Sequence, residues 1–140
     1  MSAVNTIIAD DHPLFRSALR QAAATSVPEE YIKETSDIEG LFTLLSAHPE
    51  IELVFLDLTI PGANGLQALS QLRNQYPDIL IIMVSANETP SIIKQAMTLG
   101  ASGYIPKSSS LDIISQAIAH VLNGDNWLPP DIDLNDVQVN

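Results

Sequence analysis

The stretch "IELVFL", from Ile51 to Leu56, is a strand-length run in which nearly every residue is apolar. A second such run, "ILIIMV", extends from Ile79 to Val84. Strands that are apolar at almost every position are typical of parallel sheets, whose two faces are both covered by helices. The two runs therefore predict the central strands of an α/β sheet.

Three shorter runs extend this pattern towards both ends of the chain, namely "NTIIA" (Asn5 to Ala9), "YIKET" (Tyr31 to Thr35) and "GYI" (Gly103 to Ile105). The segments that follow the strands have apolar residues at helical spacing. This spacing is clearest in two series, Leu14, Phe15, Ala18, Leu19 and Ala22, and Ile113, Ile114, Ala117, Ile118, Val121 and Leu122. Five strand–helix units predict a doubly wound parallel sheet, and this chain length favours the flavodoxin-like strand order 2-1-3-4-5.

Residues at the predicted helix ends agree with these units. Thr89 followed by Pro90 has the pattern of a helix start, and Gly100 and Gly124 stand where a left-handed residue commonly ends a helix. After Gly124 the periodicity stops. We therefore predict one domain over residues 1–124 and a linker or tail over 125–140, with packing of Trp127 along the last helix as the alternative.

Composition limits the class of function. The 140 residues are 46% hydrophobic and 16% charged, as in compact globular domains. No apolar run is long enough to span a membrane, and no secretory signal is visible, so we expect a cytoplasmic protein. A net charge of −11 repels phosphate backbones, so we expect no nucleic-acid binding by this chain alone.

Polar residues stand at the carboxyl ends of four predicted strands: Asp10 and Asp11, Asp57, Ser85 and Lys107. Each has an ordinary explanation by itself, as a helix cap or a solvated side chain. The predicted strand order, however, brings the three aspartates together. Two unit charges about 4 Å apart repel by roughly 4 kcal/mol at an effective dielectric constant near 20. A hard divalent cation offsets such repulsion, so we predict a Mg²⁺ site.

The remaining strand-end residues suit a phosphoryl group beside that ion. The Lys107 ammonium can pair with one phosphate oxygen, and the Ser85 hydroxyl can donate to another. Asp57, at the end of a buried strand, can act as the nucleophile and form an aspartyl phosphate. Phosphoryl transfer depends mostly on alignment and charge neutralisation, so this scheme assigns no role to a histidine.

Four motifs in this order resemble the receiver domain of two-component response regulators. They are "ADDHPLFR" (Ala9 to Arg16), "LVFLDLTIPGANGL" (Leu53 to Leu66), "IIMVSA" (Ile81 to Ala86) and "GASGYIPKS" (Gly100 to Ser108). The resemblance covers about Asn5 to Gly124. It implies a histidine kinase or phosphotransfer protein as the partner that donates the phosphoryl group.

The resemblance also implies roles for individual residues. Asp57 is then the phosphoacceptor, Asp11, Asp57 and the Thr59 carbonyl bind Mg²⁺ directly, and Asp10 binds it through water. Ser85 and Tyr104 match the switch positions, while Thr59 and Asn87 match variable positions that tune the lifetime of the phosphoryl group. A cis peptide bond between Lys107 and Ser108 is a further implication.

The segments "ADDHPLFR" and "GYIPKS" most resemble those of receivers joined to a LuxR-type helix-turn-helix domain. The segment "GDNWLPPDI" resembles the start of the linker in such proteins. No basic helical module follows here, which leaves an excised receiver of a transcription factor or a stand-alone regulator. Homodimer formation is left open. The alternatives to a receiver that is phosphorylated are a Mg²⁺-dependent phosphohydrolase, a flavodoxin-like cofactor binder and a receiver that is never phosphorylated.

Overall fold

The computed structural model describes residues 4–64 and 66–129 as alternating strands and helices. The strands are β1 (Thr6–Ala9), β2 (Ile32–Thr35), β3 (Leu53–Asp57), β4 (Leu80–Ser85) and β5 (Gly103–Pro106). The helices are α1 (Pro13–Ala23), α2 (Ile38–Ala47), α3 (Gln67–Gln75), α4 (Pro90–Thr98) and α5 (Leu111–Leu122). A short 3-10 turn at Glu29–Tyr31 precedes β2.

The five strands form one parallel sheet in the order β2-β1-β3-β4-β5, which confirms the predicted order. In the register of β1 with β3, Ala9 lies beside Leu56. The residues that follow these two positions, Asp10 and Asp57, are therefore neighbours at the carboxyl edge. The topology thus places the first and third strand ends at the point where the winding direction reverses.

Two apolar layers cover the sheet. On one face, β-strand side chains pack with α2, α3 and α4, as in the contact cluster that contains Val54, Leu41 and Leu69. On the other face they pack with α1 and α5, as in the cluster that contains Phe55 and Ile118. All five residues of β3 are buried, as the apolar run predicted. Of the helices in the described ranges, none is long and apolar enough to cross a membrane.

The predicted helix boundaries hold, but one predicted core residue does not. Pro90 begins α4 directly after Thr89, and Gly100 and Gly124 both have positive φ, as expected of left-handed residues at helix ends. Leu14 was predicted on the buried face of α1, yet it is 88% exposed. It lies in the first turn of the helix, next to the strand ends, whereas Leu19, one turn further along, is fully buried.

Residues after α5 continue along the sheet edge. Trp127 forms a parallel bridge with Gly103, its N–H donates to the Ser102 carbonyl, and its carbonyl accepts from the Tyr104 N–H. It is 9% exposed and packs in the apolar layer between the sheet and helices α1 and α5. The first part of the predicted tail is therefore packed against β5, while the part from residue 130 onwards lies outside the described residues.

Candidate functional site

Two buried carboxylates form the centre of the carboxyl edge. Asp10 directly follows β1 and Asp57 is the last residue of β3, and both are 0% exposed. Asp11 lies beside them with its side chain 35% exposed. One ligand atom from each of these aspartates, together with one from His12, can be chosen so that all lie within 4.8 Å of one another. The structure thus brings together the three aspartates that the sequence selected.

Lys107 supplies positive charge to both buried carboxylates. Its Nζ lies 3.0 Å from Asp10 Oδ2 and 3.2 Å from Asp57 Oδ2, and its side chain is only 14% exposed. The Lys107 N–H donates to the Ser85 carbonyl over 2.8 Å, and Nζ lies 5.0 Å from the centre of the Phe15 ring. The β5 end therefore holds the ammonium over the ends of β1 and β3.

Sequence reasoning missed His12. Its Nδ1 lies 3.1 Å from Asp10 Oδ1, 3.2 Å from Asp11 Oδ1 and 3.5 Å from Asp57 Oδ2. The same nitrogen is 2.9 Å from Lys107 Nζ. The sequence offered one signal that could have identified His12, namely that it directly follows the aspartate pair.

Backbone contacts fix the loop that carries these groups. The His12 N–H donates to Asp10 Oδ1 over 2.7 Å, and α1 begins at the next residue. Asp11 was considered as a helix cap, but the residue that precedes the helix is His12, whose side chain makes no capping bond. Arg16 Nη1 donates to the Asp10 carbonyl over 2.6 Å, so α1 holds the end of β1 in place.

The orientation of Arg16 depends in turn on Glu34 of β2. Arg16 donates to one Glu34 carboxylate oxygen over 2.8 Å, and Arg20 donates to the other. Burial raises the pKa of Glu34, but the hydrogen bonds and positive charges of Arg20 and Arg16 outweigh it, so the pKa lies below its usual value. Glu34 therefore stays ionised at neutral pH and keeps both arginines aligned.

Two carboxylate oxygens in the site lack a hydrogen-bond donor. Asp10 Oδ2 and Asp11 Oδ1 are buried and accept no hydrogen bond of acceptable geometry. Asp10 Oδ2 is close to Lys107 Nζ, but that contact is an ion pair without hydrogen-bond alignment. Buried charged oxygens without donors are costly. A divalent cation with oxygen ligands would satisfy them, so the residues present fit Mg²⁺.

Thr59 positions the Asp57 carboxylate from the loop after β3. Its backbone N–H and its hydroxyl lie 3.1 Å and 3.2 Å from Asp57 Oδ1 and donate to it. Lys107 donates to the other oxygen, Oδ2. Each Asp57 oxygen is therefore held by a different neighbour.

The remaining predicted residues lie on β4, β5 and the loop after β4. Ser85 is buried at the end of β4, and its Oγ accepts from the Asn87 N–H over 2.9 Å. Tyr104 is fully buried, and its hydroxyl donates to the Asn87 carbonyl over 2.6 Å. Burial raises the pKa of Tyr104; a hydrogen bond with Ser85 opposes this, and the charges of Asp57 and Glu88 add to it. The hydroxyl thus remains a donor.

One implication of the family resemblance is wrong. Within residues 4–64 and 66–129 the structure has no cis peptide bond, so the bond between Lys107 and Ser108 is trans. The turn is already satisfied with this geometry, because the Lys107 N–H donates to Ser85 and the Ser109 N–H donates to the Pro106 carbonyl.

An α/β sheet with carboxylates, an ammonium and a hydroxyl at its switch point defines a domain that can bind a cation and an anionic group together. The model of the response regulator receiver domain matches residues 6–119. The chain therefore belongs to this family and is a receiver domain of the two-component response regulators.

Individual proteins resemble this chain in sequence or in fold. The chain is 42% identical to the "Glycerol metabolism activator" of Pseudomonas putida over 126 residues, which cover 90% of this chain and 57% of that protein. The isolated REC domain of RcsB from Salmonella enterica serovar Typhimurium, solved with the phosphomimetic BeF3⁻, superposes with a TM-score of 0.82 at 22% identity, covering 99% and 100% of the two chains. A structure of two RcsB dimers bound to two parallel DNAs gives 0.80 at 23%, covering 94% and 66%.

Proposed function

We propose that this receiver accepts a phosphoryl group from a histidine kinase, or from a phosphotransfer protein, onto Asp57. The observation that carries the proposal is the Asp57 carboxylate, which is buried at the end of β3 with Lys107 Nζ 3.2 Å from one oxygen and two Thr59 donors on the other. Such a carboxylate is aligned and close to positive charge, as a nucleophile in phosphoryl transfer requires.

In the transfer step a carboxylate oxygen of Asp57 forms a bond to phosphorus while the phosphorus–nitrogen bond of the donor's phosphohistidine breaks. The electron pair of that bond returns to the imidazole of the donor. Lys107 then pairs with a phosphoryl oxygen, and the Ser85 hydroxyl donates to another. Water later attacks phosphorus and releases phosphate. The chain thus catalyses its own phosphorylation and dephosphorylation and turns over no separate substrate.

The cation in this proposal is Mg²⁺, held by Asp11, Asp57 and the Thr59 carbonyl, with Asp10 acting through water. When bound, the ion neutralises the charge of the carboxylates and of the incoming phosphoryl oxygens. The unsatisfied buried oxygens of Asp10 and Asp11 support this assignment.

The conformational response would pass through Ser85 and Tyr104. When the Ser85 hydroxyl turns to a phosphoryl oxygen, it changes its contacts with the Asn87 N–H and with Tyr104, so the loop before α4 must adjust. The inward Tyr104 side chain is compatible with such a coupled pair. Thr59 and Asn87 flank the site and would tune the rate at which water hydrolyses the aspartyl phosphate.

The biological setting is part of the same proposal. The chain spans 57% of the length of the Pseudomonas activator, so its output would lie in a further domain of helix-turn-helix type that controls transcription. RcsB dimers on DNA make a homodimer a reasonable output state for this chain. We expect a cytoplasmic protein that does not bind nucleic acid through the receiver alone, since its net charge is −11.

The proposal is tested by incubating the chain with Mg²⁺ and acetyl phosphate and measuring its intact mass. We expect a single phosphoryl adduct in the wild type and in Asp112→Asn, a control at an exposed helix start, and none in Asp57→Asn. An adduct of equal yield in Asp57→Asn would refute the assignment of the phosphoacceptor.

A further inference from the structure

We propose that His12 is a direct ligand of the divalent ion, through Nδ1, and gives this site a preference for ions that bind imidazole. The proposal rests on the metal site of the proposed function and adds a nitrogen to a ligand set otherwise made of oxygens. The observation behind it is that Nδ1 lies among the three carboxylates, 3.1 to 3.5 Å from one oxygen of each.

The contacts of Nδ1 make conflicting demands on that atom. Lys107 Nζ, 2.9 Å away, has only protons to offer, so Nδ1 must present a lone pair to it. Asp10 Oδ1, 3.1 Å away, has only lone pairs, so Nδ1 must present a proton to it. One ring nitrogen cannot do both. A cation among these groups removes the conflict, because the lone pairs of Nδ1 and of the carboxylates can then point at the ion while Lys107 donates to Asp57 Oδ2, 3.2 Å away.

A second observation independently points to a ligand. Asp10 Oδ2, on a side chain that is 0% exposed at the centre of the same cluster, accepts no hydrogen bond, and the Lys107 ammonium 3.0 Å away is its ion-pair partner. Packing does not explain the position of His12, because its side chain is 59% exposed. Its backbone N–H, which donates to Asp10 Oδ1, holds the residue within reach of the cluster.

The other two histidines provide the contrast. His48 Nδ1 lies 3.3 Å from Glu50, and His120 Nδ1 lies 2.9 Å from the Gln116 carbonyl. Neither is in the group of potential metal ligands found in the described part of the chain. His120 on the exposed side of α5 is therefore a matched control for loss of an imidazole.

A nitrogen ligand changes which ions the site prefers. Mg²⁺ prefers oxygen ligands, whereas imidazole suits Ni²⁺ and the other later transition metals. Ni²⁺ binds most sites more tightly than Mg²⁺ whatever their ligands. The informative quantity is therefore the ratio of the two dissociation constants, and how much this ratio changes when the imidazole is removed.

The test is calorimetric titration of the untagged chain with MgCl₂ and with NiCl₂, in the His48→Ala background, so that the three histidines of the sequence are reduced to His12 and His120. Replacing His12 by Ala should lower the Mg²⁺-to-Ni²⁺ ratio of dissociation constants by about tenfold or more, the scale on which metal-site partners typically act. His120→Ala should leave the ratio unchanged. His12→Gln, which keeps an oxygen donor, should retain Mg²⁺ affinity and lose the preference for Ni²⁺.

Pulsed EPR of the Mn²⁺-loaded chain gives a direct readout, with a ¹⁴N coupling expected in the wild type and absent in His12→Ala. An unchanged ratio together with no ¹⁴N coupling would overturn the proposal. Tighter binding of both ions by His12→Ala would also overturn it, since the ring would then block the site. These results do not depend on phosphorylation, so failure of Asp57 to form an adduct would refute the proposed function and leave this test standing.

Discussion

At the carboxyl edge of the sheet one ammonium group is shared by two buried carboxylates. Lys107 Nζ lies about equally far from Asp10 and Asp57, at 3.0 and 3.2 Å. With the ammonium in place, the pair carries one compensating charge for two negative ones. The surplus negative charge explains why the site would take up a cation, and the position of Lys107 explains how a phosphoryl group would be met by a donor.

Replacing Lys107 by Ala should destabilise the metal-free protein by about 3 kcal/mol, because two buried carboxylates then lose their counter-charge. The measurement is urea unfolding at neutral pH in EDTA. Lys33→Ala, on the edge strand β2, serves as a control and should change stability by no more than about 0.5 kcal/mol. Equal effects of the two substitutions would contradict the shared ion pair.

Five polar side chains that the sequence selected lie at the carboxyl ends of the strands, or directly after them, in the structure. Three aspartates, a serine and a lysine at strand ends are conspicuous because each interrupts or follows an apolar run. The proximity of His12 to the three aspartates was missed because it depends on the direction of the ring, which spacing does not reveal. Leu14 was misplaced because helical spacing does not show where the covering sheet ends.

Among the elements, Arg73 of α3 connects the segment after α4 with the segment before β4. Its guanidinium donates to the Gly100 carbonyl through Nε and Nη2, over 3.1 and 2.6 Å. Nη1 donates to the carbonyls of Pro77 and Ile79, over 2.9 and 2.6 Å. Gly100 has a φ of 109°, and a Cβ there would lie 2.9 Å from Arg73 Cγ. Glycine at this position therefore allows both the backbone conformation and the close approach of the arginine. The end of α4 is thereby tied to the start of β4.

Arg73→Lys should lower the free energy of unfolding by about 2 kcal/mol, because a single ammonium cannot reach carbonyls on both sides and leaves some without a donor. Chemical denaturation measures this change. The exposed neighbour Asn74→Ala is the control and should be close to neutral. A lysine variant as stable as the wild type would show that the carbonyls find water instead.

The strands were predictable because buried parallel strands are apolar throughout, and the observed bounds differ from the predicted runs by two residues at most. Asp57 and Ser85 were placed after their strands, yet each is the last residue of its strand. The Arg73 network and the Trp127 bridge were not predictable in this way. Both are contacts between distant segments through backbone carbonyls, which have no sequence pattern.

For the whole molecule, the strand order decides which residues meet at the carboxyl edge of the sheet. The right-handed crossover rule leaves few arrangements for five strand–helix units, and the observed order 2-1-3-4-5 is one of them. That order makes β1 and β3 neighbours and so concentrates negative charge at one edge of an already acidic chain. Cation binding should therefore be visible in global stability.

Mg²⁺ should raise the melting temperature of the wild type, since an ion that binds the folded state and not the unfolded chain stabilises it, by about 2.7 kcal/mol at 100 times the dissociation constant. The gain should shrink in Asp11→Ala. Differential scanning calorimetry with and without MgCl₂ checks both expectations, with Asp125→Ala, three residues beyond the end of α5, as the control. If Asp11→Ala gained as much as the wild type, Asp11 would not be a ligand.

Chemical mapping locates the phosphoryl group and so tests whether Asp57 is the phosphoacceptor. After incubation with Mg²⁺ and acetyl phosphate, borohydride reduces an aspartyl phosphate to homoserine, which peptide mass spectrometry locates in the sequence. We expect homoserine at position 57 alone, and none when acetyl phosphate is omitted. Homoserine at position 10 or 11, or its absence throughout, would show that Asp57 is not the phosphoacceptor.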